Sequence, residues 1–525
     1  MRQLILFAIA GLFMCLASCR DDFEFEQSPG GLEFSRDTVY LDTVFSNIGS
    51  STYTLKVYNR SNKDIAIPSL RLKKGQASNY RLMVDGMPGK EFNNVELLAK
   101  DSLFIFIETT ANISDANPDD FLYTDEIEFQ STSGVQEVHL VTLIQDAYFL
   151  YPQRDTSGPK VLYEAVRWDS ESNPGDPEYL PGFYLDESDP VNGDEYHWNN
   201  SKPYVIYGFA TVPNGKTLVV DPGARIHFHA GSGLMVRPGG KLQINGQPSA
   251  NEETLEGEVI FEGDRLEPRF AETAGQWFSI LLMSGEENTI NHLTLKNSSI
   301  GIWAKAPEGD GTTTPKLSIT NSQIYNSGVY GILSVHSDIT ANNLVVNKAG
   351  QASVSLSQGG THNFTHCTIA NYSNAYNQVP LELSNYFDFR ETRRVSDFDG
   401  NFTNCIFWSS GNLGIRHNRE TSVVTEYNFK FNNSLIKFYD YSNQYTSNPL
   451  YQFEDQLQYV NTKRAKSTST GEPRANFTDP QKNMLTLEAD SGAIGIGLNV
   501  TQGTVDLNGN VRDASPDAGA YEYQN

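Results

Sequence analysis

GKTLVVDPGARIHFHAGSGLMVRPGGKLQIN, residues 215–245, decides the architecture. Leu218, Ile226, Leu234 and Leu242 recur every eight residues, and so do Val220, Phe228, Val236 and Ile244. The two apolar residues of each unit lie two apart and therefore share one face of a short strand. Turn chemistry separates the units: Asp221-Pro222-Gly223, Gly231-Ser232-Gly233 and Pro238-Gly239-Gly240. A strand so short buries its inward residues only by stacking on its neighbours, which predicts a solenoid. A stack of hairpins also supplies short strands, but a constant step with Gly and Pro corners favours a coil.

Further along, the step lengthens and a second pattern takes over. Ile290-x-x-Leu293-x-Leu295 is followed by Ile319-x-x-Ser322-x-Ile324, Ile339-x-x-Asn342-x-Leu344 and Phe364-x-x-Cys367-x-Ile369. Phe402-x-x-Cys405-x-Phe407 and Phe431-x-x-Ser434-x-Ile436 complete the series, with steps of 29, 20, 25, 38 and 29 residues. Core strands hold their register while corner loops take insertions. Asn321, Asn404 and Asn433 fall two residues after a start, where stacked amides can bond along the coil. Cys367 and Cys405 occupy equivalent inward positions on successive rungs, which predicts a buried pair of thiols; a strand spacing of about 4.8 Å also leaves a disulfide within reach.

The stretch from Pro203 to Ile280, which includes Gln276-Trp277-Phe278-Ser279, resembles the right-handed parallel β-helix of secreted bacterial proteins. The end of the chain resembles the terminal motif of that family, in Ser491-Gly492-Ala493-Ile494-Gly495, Asp506-Leu507-Asn508-Gly509-Asn510 and Pro516-Asp517-Ala518-Gly519-Ala520-Tyr521-Glu522. Together they cover roughly residues 201–525. The resemblance implies a fold and a surface habitat more than an activity, since this fold carries polysaccharide lyases, glycoside hydrolases, esterases and adhesins.

Ahead of the coil, residues 31–147 read as short alternating strands, among them Thr38-Val39-Tyr40-Leu41, Tyr53–Tyr58, Ser102–Ile107 and Glu137–Val141. About seven strands in this length fit a β-sandwich, and the segment resembles the immunoglobulin-like modules of bacterial surface proteins, without the Cys…Trp…Cys set of antibody domains. The expected fold class is therefore all-β: a right-handed parallel β-helix preceded by an immunoglobulin-like β-sandwich. Residues 148–200 form a linker rich in Pro, Gly and acidic residues. Its Tyr179, Phe183, Tyr184, Tyr196 and Trp198 are candidates to cap the open end of the coil. The helix proper is expected over 201–440, with the remainder of its region and the terminal motif over 441–525.

The chain begins MRQLILFAIAGLFMCLASC. An apolar stretch this short suits a signal peptide better than a spanning helix. Leu16-Ala17-Ser18-Cys19 resembles the bacterial lipobox, which implies cleavage after residue 18, lipidation of Cys19 and a tether over 19–30. Several acyl chains anchor far more firmly than one. Arg20-Asp21-Asp22 resembles a surface-export signal, and a solvated tether explains the same residues. The expected address is the outer membrane, held by lipid and facing outward, with no other membrane contact.

A formal charge of −25 over 525 residues argues against a nucleic-acid partner. For catalysis, Asp264 with Glu262 is one carboxylate candidate, but its place beside a corner favours a turn-capping or ion-paired role. His227 and His229 alternate with Ile226 and Phe228, which places them on the surface as a pair and not as a metal site. The insertion at 373–400 holds Arg390, Arg393 and Arg394, and Arg416-His417 follow one rung later. These five are the candidate ligand-binding residues: folded together they make a basic pocket that grips an anionic sugar, because Arg pairs with carboxylates in two-pronged fashion. The competing reading pairs those arginines internally with Asp397, Asp399 and Glu391. No metal ligand set is indicated, and the sequence names no cofactor, leaving that open. Two functions follow: a surface lipoprotein that binds glycan or matrix without catalysis, or a lyase or hydrolase acting on an acidic polysaccharide.

Overall fold

A computed structural model describes residues 25–117, 121–157, 162–171, 173, 175–251 and 254–524. The signal segment, Cys19 and the start of the tether lie outside the described residues. The chain divides into two compact units, Met1–Asp146 and Ala147–Asn525.

In the first unit, one sheet contains Ile65–Leu72, Leu122–Ser131, Gly134–Gln145 and Thr38–Phe45. The other contains Tyr53–Tyr58, Ser102–Thr109 and Tyr80–Val84. Alternation explains the pairing of sheets: Leu103, Ile105 and Ile107 are buried, whereas Phe104 and Phe106 face out. The inward residues of both sheets form one core, with Val39, Leu55, Tyr80 and Leu140 fully buried. This is a two-sheet sandwich.

The second unit is a parallel β-helix, built of sheets of 19 and 10 strands whose neighbours run parallel along the coil, apart from the antiparallel pair Ala165–Arg167 with Tyr179–Tyr184 at the start of the smaller sheet. The eight-residue unit is one side of a rung, and three units make the rung. Leu218 lies over Leu242 and Val220 over Ile244; Ile226 lies between Tyr204 and Phe261; Leu234 lies between Ala210 and Ile280. All these leucines and isoleucines are buried, none of them more than 1% exposed. Parallel crossovers of this kind take the right-handed sense.

One register expectation needs correcting. Ile319 pairs with Ala341, not Ile339, and Ile324 with Val346. The rung begins at Ala341, so Asn343 takes the place assigned to residue 341. With that shift a column appears at the corner between two faces: His292, Asn321, Asn343, His366, Asn404, Asn433 and Asn461 all have φ between 46° and 55°. The left-handed region is costly for most side chains, and Asn and His are among those that tolerate it. The interior carries a matching stack at the rung starts. Phe364 and Phe402 have ring centroids 5.5 Å apart, Phe402 and Phe431 4.8 Å, and Phe431 and Tyr459 5.4 Å. Cys367 and Cys405 are free, buried thiols.

The amino end of the coil is closed by part of the aromatic set. Trp198 and Phe183 are buried in the core with Tyr204, and Tyr196 packs against it. Tyr179 and Tyr184 do not join them and are exposed. At the other end, the chain beyond Lys463–Ala465 forms no further rung. It returns along the outside and covers Val345, Ala370, Ile406 and Leu435 with Phe477, Leu485, Ala518, Ala520 and Tyr521. The corner asparagines fasten it. Asn404 donates to the carbonyl of Leu498 and accepts from its amide, both at 2.7 Å; Asn433 donates to Ile496 and Asn343 to Val505. Gly519 has φ +100°, and a Cβ there would lie 2.7 Å from Ile406 Cδ1. Only glycine satisfies both demands.

Candidate functional site

The long insertion folds as an antiparallel hairpin, Tyr386–Phe389 with Thr392–Val395, turning through Arg390 at φ +55°. Its three arginines do not converge on an empty pocket. Arg393 grips Asp388 at 2.7 Å with two nitrogens and reaches Glu420 at 2.8 Å. Arg390 pairs with Glu178 and Arg394 with Glu308. Internal pairing is therefore what forms, but with partners other than Asp397, Asp399 and Glu391. Backbone amides of the Thr421–Ser422 turn and Arg393 together hold the Glu420 carboxyl down at about 2.

Arg416 and His417 are separated by strand alternation, because Ile415–Asn418 buries every second residue. His417 points into the core. Its Nδ1 lies 3.0 Å from the Tyr427 hydroxyl, its backbone N–H donates to the Tyr451 hydroxyl, and burial pushes its imidazole down to about 3. A neutral, enclosed imidazole is no anion ligand. Arg416 faces out, donating to the Asn377 carbonyl at 2.6 Å and lying 3.5 Å from Glu382.

Outside Arg416 there is a groove of about 460 Å³, lined by Asn377, Gln378, Asn412, Tyr439, Tyr441 and Tyr445 among others. Tyr441 is 61% exposed at its edge, and neighbouring Tyr376 is 92% exposed. Asp440 shapes the wall by accepting from the amides of Gln444 and Tyr445. Beside the groove, Glu382 accepts from Asn418 at 2.8 Å and from Ser355 at 3.1 Å. Flat rings, amides and one guanidinium in an open trough suit a polyhydroxylated chain, whose apolar faces stack and whose hydroxyls both donate and accept. Sequence reasoning found Arg416 and passed over the groove's tyrosines. Its available signal was the run Asp440-Tyr441-Ser442-Asn443-Gln444-Tyr445, in which two rings bracket a serine and two amides.

The other histidine and carboxylate candidates also resolve. His227 is not a surface residue: it is buried, 3.7 Å from Glu262, which in turn is 2.9 Å from Lys296. His229 is half-exposed, stacks on Tyr207 and lies 2.7 Å from Asp264. Among the described residues no group of three or more His, Cys, Asp or Glu could hold a metal ion.

No family model matches the chain, and no curated protein matches it. Among solved structures, the catalytic unit of a thermostable GH87 alpha-1,3-glucanase from Streptomyces thermodiastaticus strain HF3-3 aligns with 73% of this chain and 73% of its own. The identity is 9% and the TM-score 0.26. A likeness that low says nothing about this chain's activity.

Proposed function

We propose that this chain is a lipid-anchored protein of the outer membrane that binds polysaccharide at the cell surface without cleaving it. The immunoglobulin-like sandwich serves as spacer and the β-helix as the binding body. The groove beside Arg416 carries the reading, because it offers exposed Tyr441 next to amides in an open trough of about 460 Å³. Cys19, within a lipobox-like segment, supports the anchor.

Affinity electrophoresis against neutral and acidic polysaccharides tests the binding. The wild-type chain is expected to be retarded, and Tyr441→Ala to lose at least about tenfold in affinity, the effect of removing a stacking ring worth about 1.4 kcal/mol. Equal retardation of the two proteins would remove the groove from consideration.

The rival reading, a lyase or hydrolase, draws its support from Glu382, a carboxylate on the coil's outer face against the groove. Appearance of unsaturated or reducing ends on incubation, lost in Glu382→Gln, would replace binding with turnover.

A further inference from the structure

The hairpin that failed to make a basic pocket covers a buried cluster of polar and aromatic side chains. Trp303 and Lys305 project from the outer face of strand Ile300–Lys305. The Lys305 ammonium lies 4.4 Å from the Phe389 ring of the hairpin, 4.9 Å from Trp168 and 5.7 Å from Trp303. It is only 6% exposed, and its nitrogen makes no hydrogen bond among the described residues. Glu308 is 3.9 Å away, too far to satisfy it. Two more polar atoms of the same cluster are buried without a partner, the Trp303 indole nitrogen and Glu308 Oε2. The other Glu308 oxygen is taken by Arg394.

Buried polar groups are nearly always satisfied, so three orphans together describe a missing partner. That partner must accept from an ammonium and an indole N–H and donate to a carboxylate oxygen. Charge narrows it. Lys305, Arg390 and Arg394 face Glu178 and Glu308, leaving one cation uncompensated on a chain of net charge −25. Rings satisfy an ammonium only partly, and burial holds the Lys305 amine below its usual range. A carboxylate flanked by a hydroxyl fits all three orphans and the charge. Position supplies the last constraint. Trp303 pairs with Leu333, Leu333 with Ser355, Ser355 with Glu382 and Glu382 with Arg416. The buried cluster and the tyrosine groove are therefore the two ends of one outward column, about 19 Å apart at the usual strand spacing.

We propose that the buried cluster of Lys305, Trp303 and Glu308 beneath the hairpin opens, when the hairpin lifts, into a subsite for a uronic acid residue of the bound glycan. This rests on the glycan-binding reading and gives it a class: acidic, with Lys305 on the carboxylate and Glu308 on a neighbouring hydroxyl.

Titration calorimetry of the full chain with oligogalacturonate, oligoglucuronate and oligomannuronate, each against its neutral counterpart, tests it. At least one acidic oligomer is expected to bind tenfold or more tightly than its neutral partner. Lys305→Met should erase that preference, so that acidic and neutral oligomers bind it with equal affinity. Tryptophan emission from Trp168 and Trp303 should shift with the acidic ligand in the wild type and not in Lys305→Met, whose own thermal melt shows that it folds. Equal affinity for acidic and neutral oligomers overturns the subsite, and the cluster's unpaired atoms then meet a buried water only; the groove reading survives if Tyr441→Ala still weakens binding. No binding to any oligomer overturns both.

Discussion

Three imidazoles sit neutral inside the coil. Burial pushes His362 down to about 4, and His366 and His417 down to about 3, with the Arg512 charge adding to the effect at His366. The unfolded chain takes up these protons near pH 6.5, well before the folded one does. Below that pH the unfolded state binds more protons, so stability falls as pH drops through 6.5, and it goes on falling until the folded sites titrate near pH 4 and 3. At pH 5 each such histidine should cost about 2 kcal/mol. Urea midpoints measured from pH 7.5 to 4.5 should decline, and His417→Phe should flatten the decline. A midpoint unchanged over this range would mean that these rings are protonated in the folded protein. None of this was legible beforehand: a histidine beside an arginine looks like part of a basic patch until strand parity sends one outward and the other in.

Strand repeats and corners decide most of what happens at the scale of elements. Much of this was visible in the residues themselves, because Leu218 to Ile244 writes the period directly and the rung starts recur down the chain. The one misplaced rung shows where such reading gives out. Leu317 over Ile339 is as apolar a column as Ile319 over Ala341, and a slip of two residues preserves every inward and outward assignment. Hydrophobicity is blind to it. The left-handed corner is not, since Asn343 falls in line with Asn321, Asn404 and Asn433 only in the correct register. Those corners also do a second task, fastening the returning chain. Asn404→Ala should lose both bonds to Leu498 and strain the backbone, about 2 to 4 kcal/mol in all. Hydrogen exchange should then rise over 466–524 and stay slow in the rungs; uniform acceleration would show the return segment and the coil to be one cooperative block. The basic pocket was misread for a related reason: Glu178 and Glu308, which neutralise Arg390 and Arg394, come from loops far away in sequence.

Across the whole molecule, electrostatics act in two directions. A net charge of −25 repels itself, so added salt should raise the melting temperature from its low-salt value. The hairpin behaves oppositely, because Arg390–Glu178 and Arg393–Asp388 are largely exposed pairs that salt screens. Trypsin should cut after Arg390 and Arg394 faster in 0.5 M than in 0.05 M NaCl (about 4 Å against 14 Å of Debye length), while the rest of the coil becomes harder to melt. Cleavage that ignores salt would mean that Phe389 over Lys305, not the ion pairs, keeps the roof down.

The returning C-terminal segment also has a mechanical meaning. A bare solenoid pulled at its last residue would unwind turn by turn, each loop peeling off a single neighbour. Here the pulled end is lashed sideways across the coils that hold Asn343, Asn404 and Asn433. Load applied at the tail therefore spreads over several coils at once, and a force–extension trace should open with one high rupture before the regular sawtooth of unspooling begins.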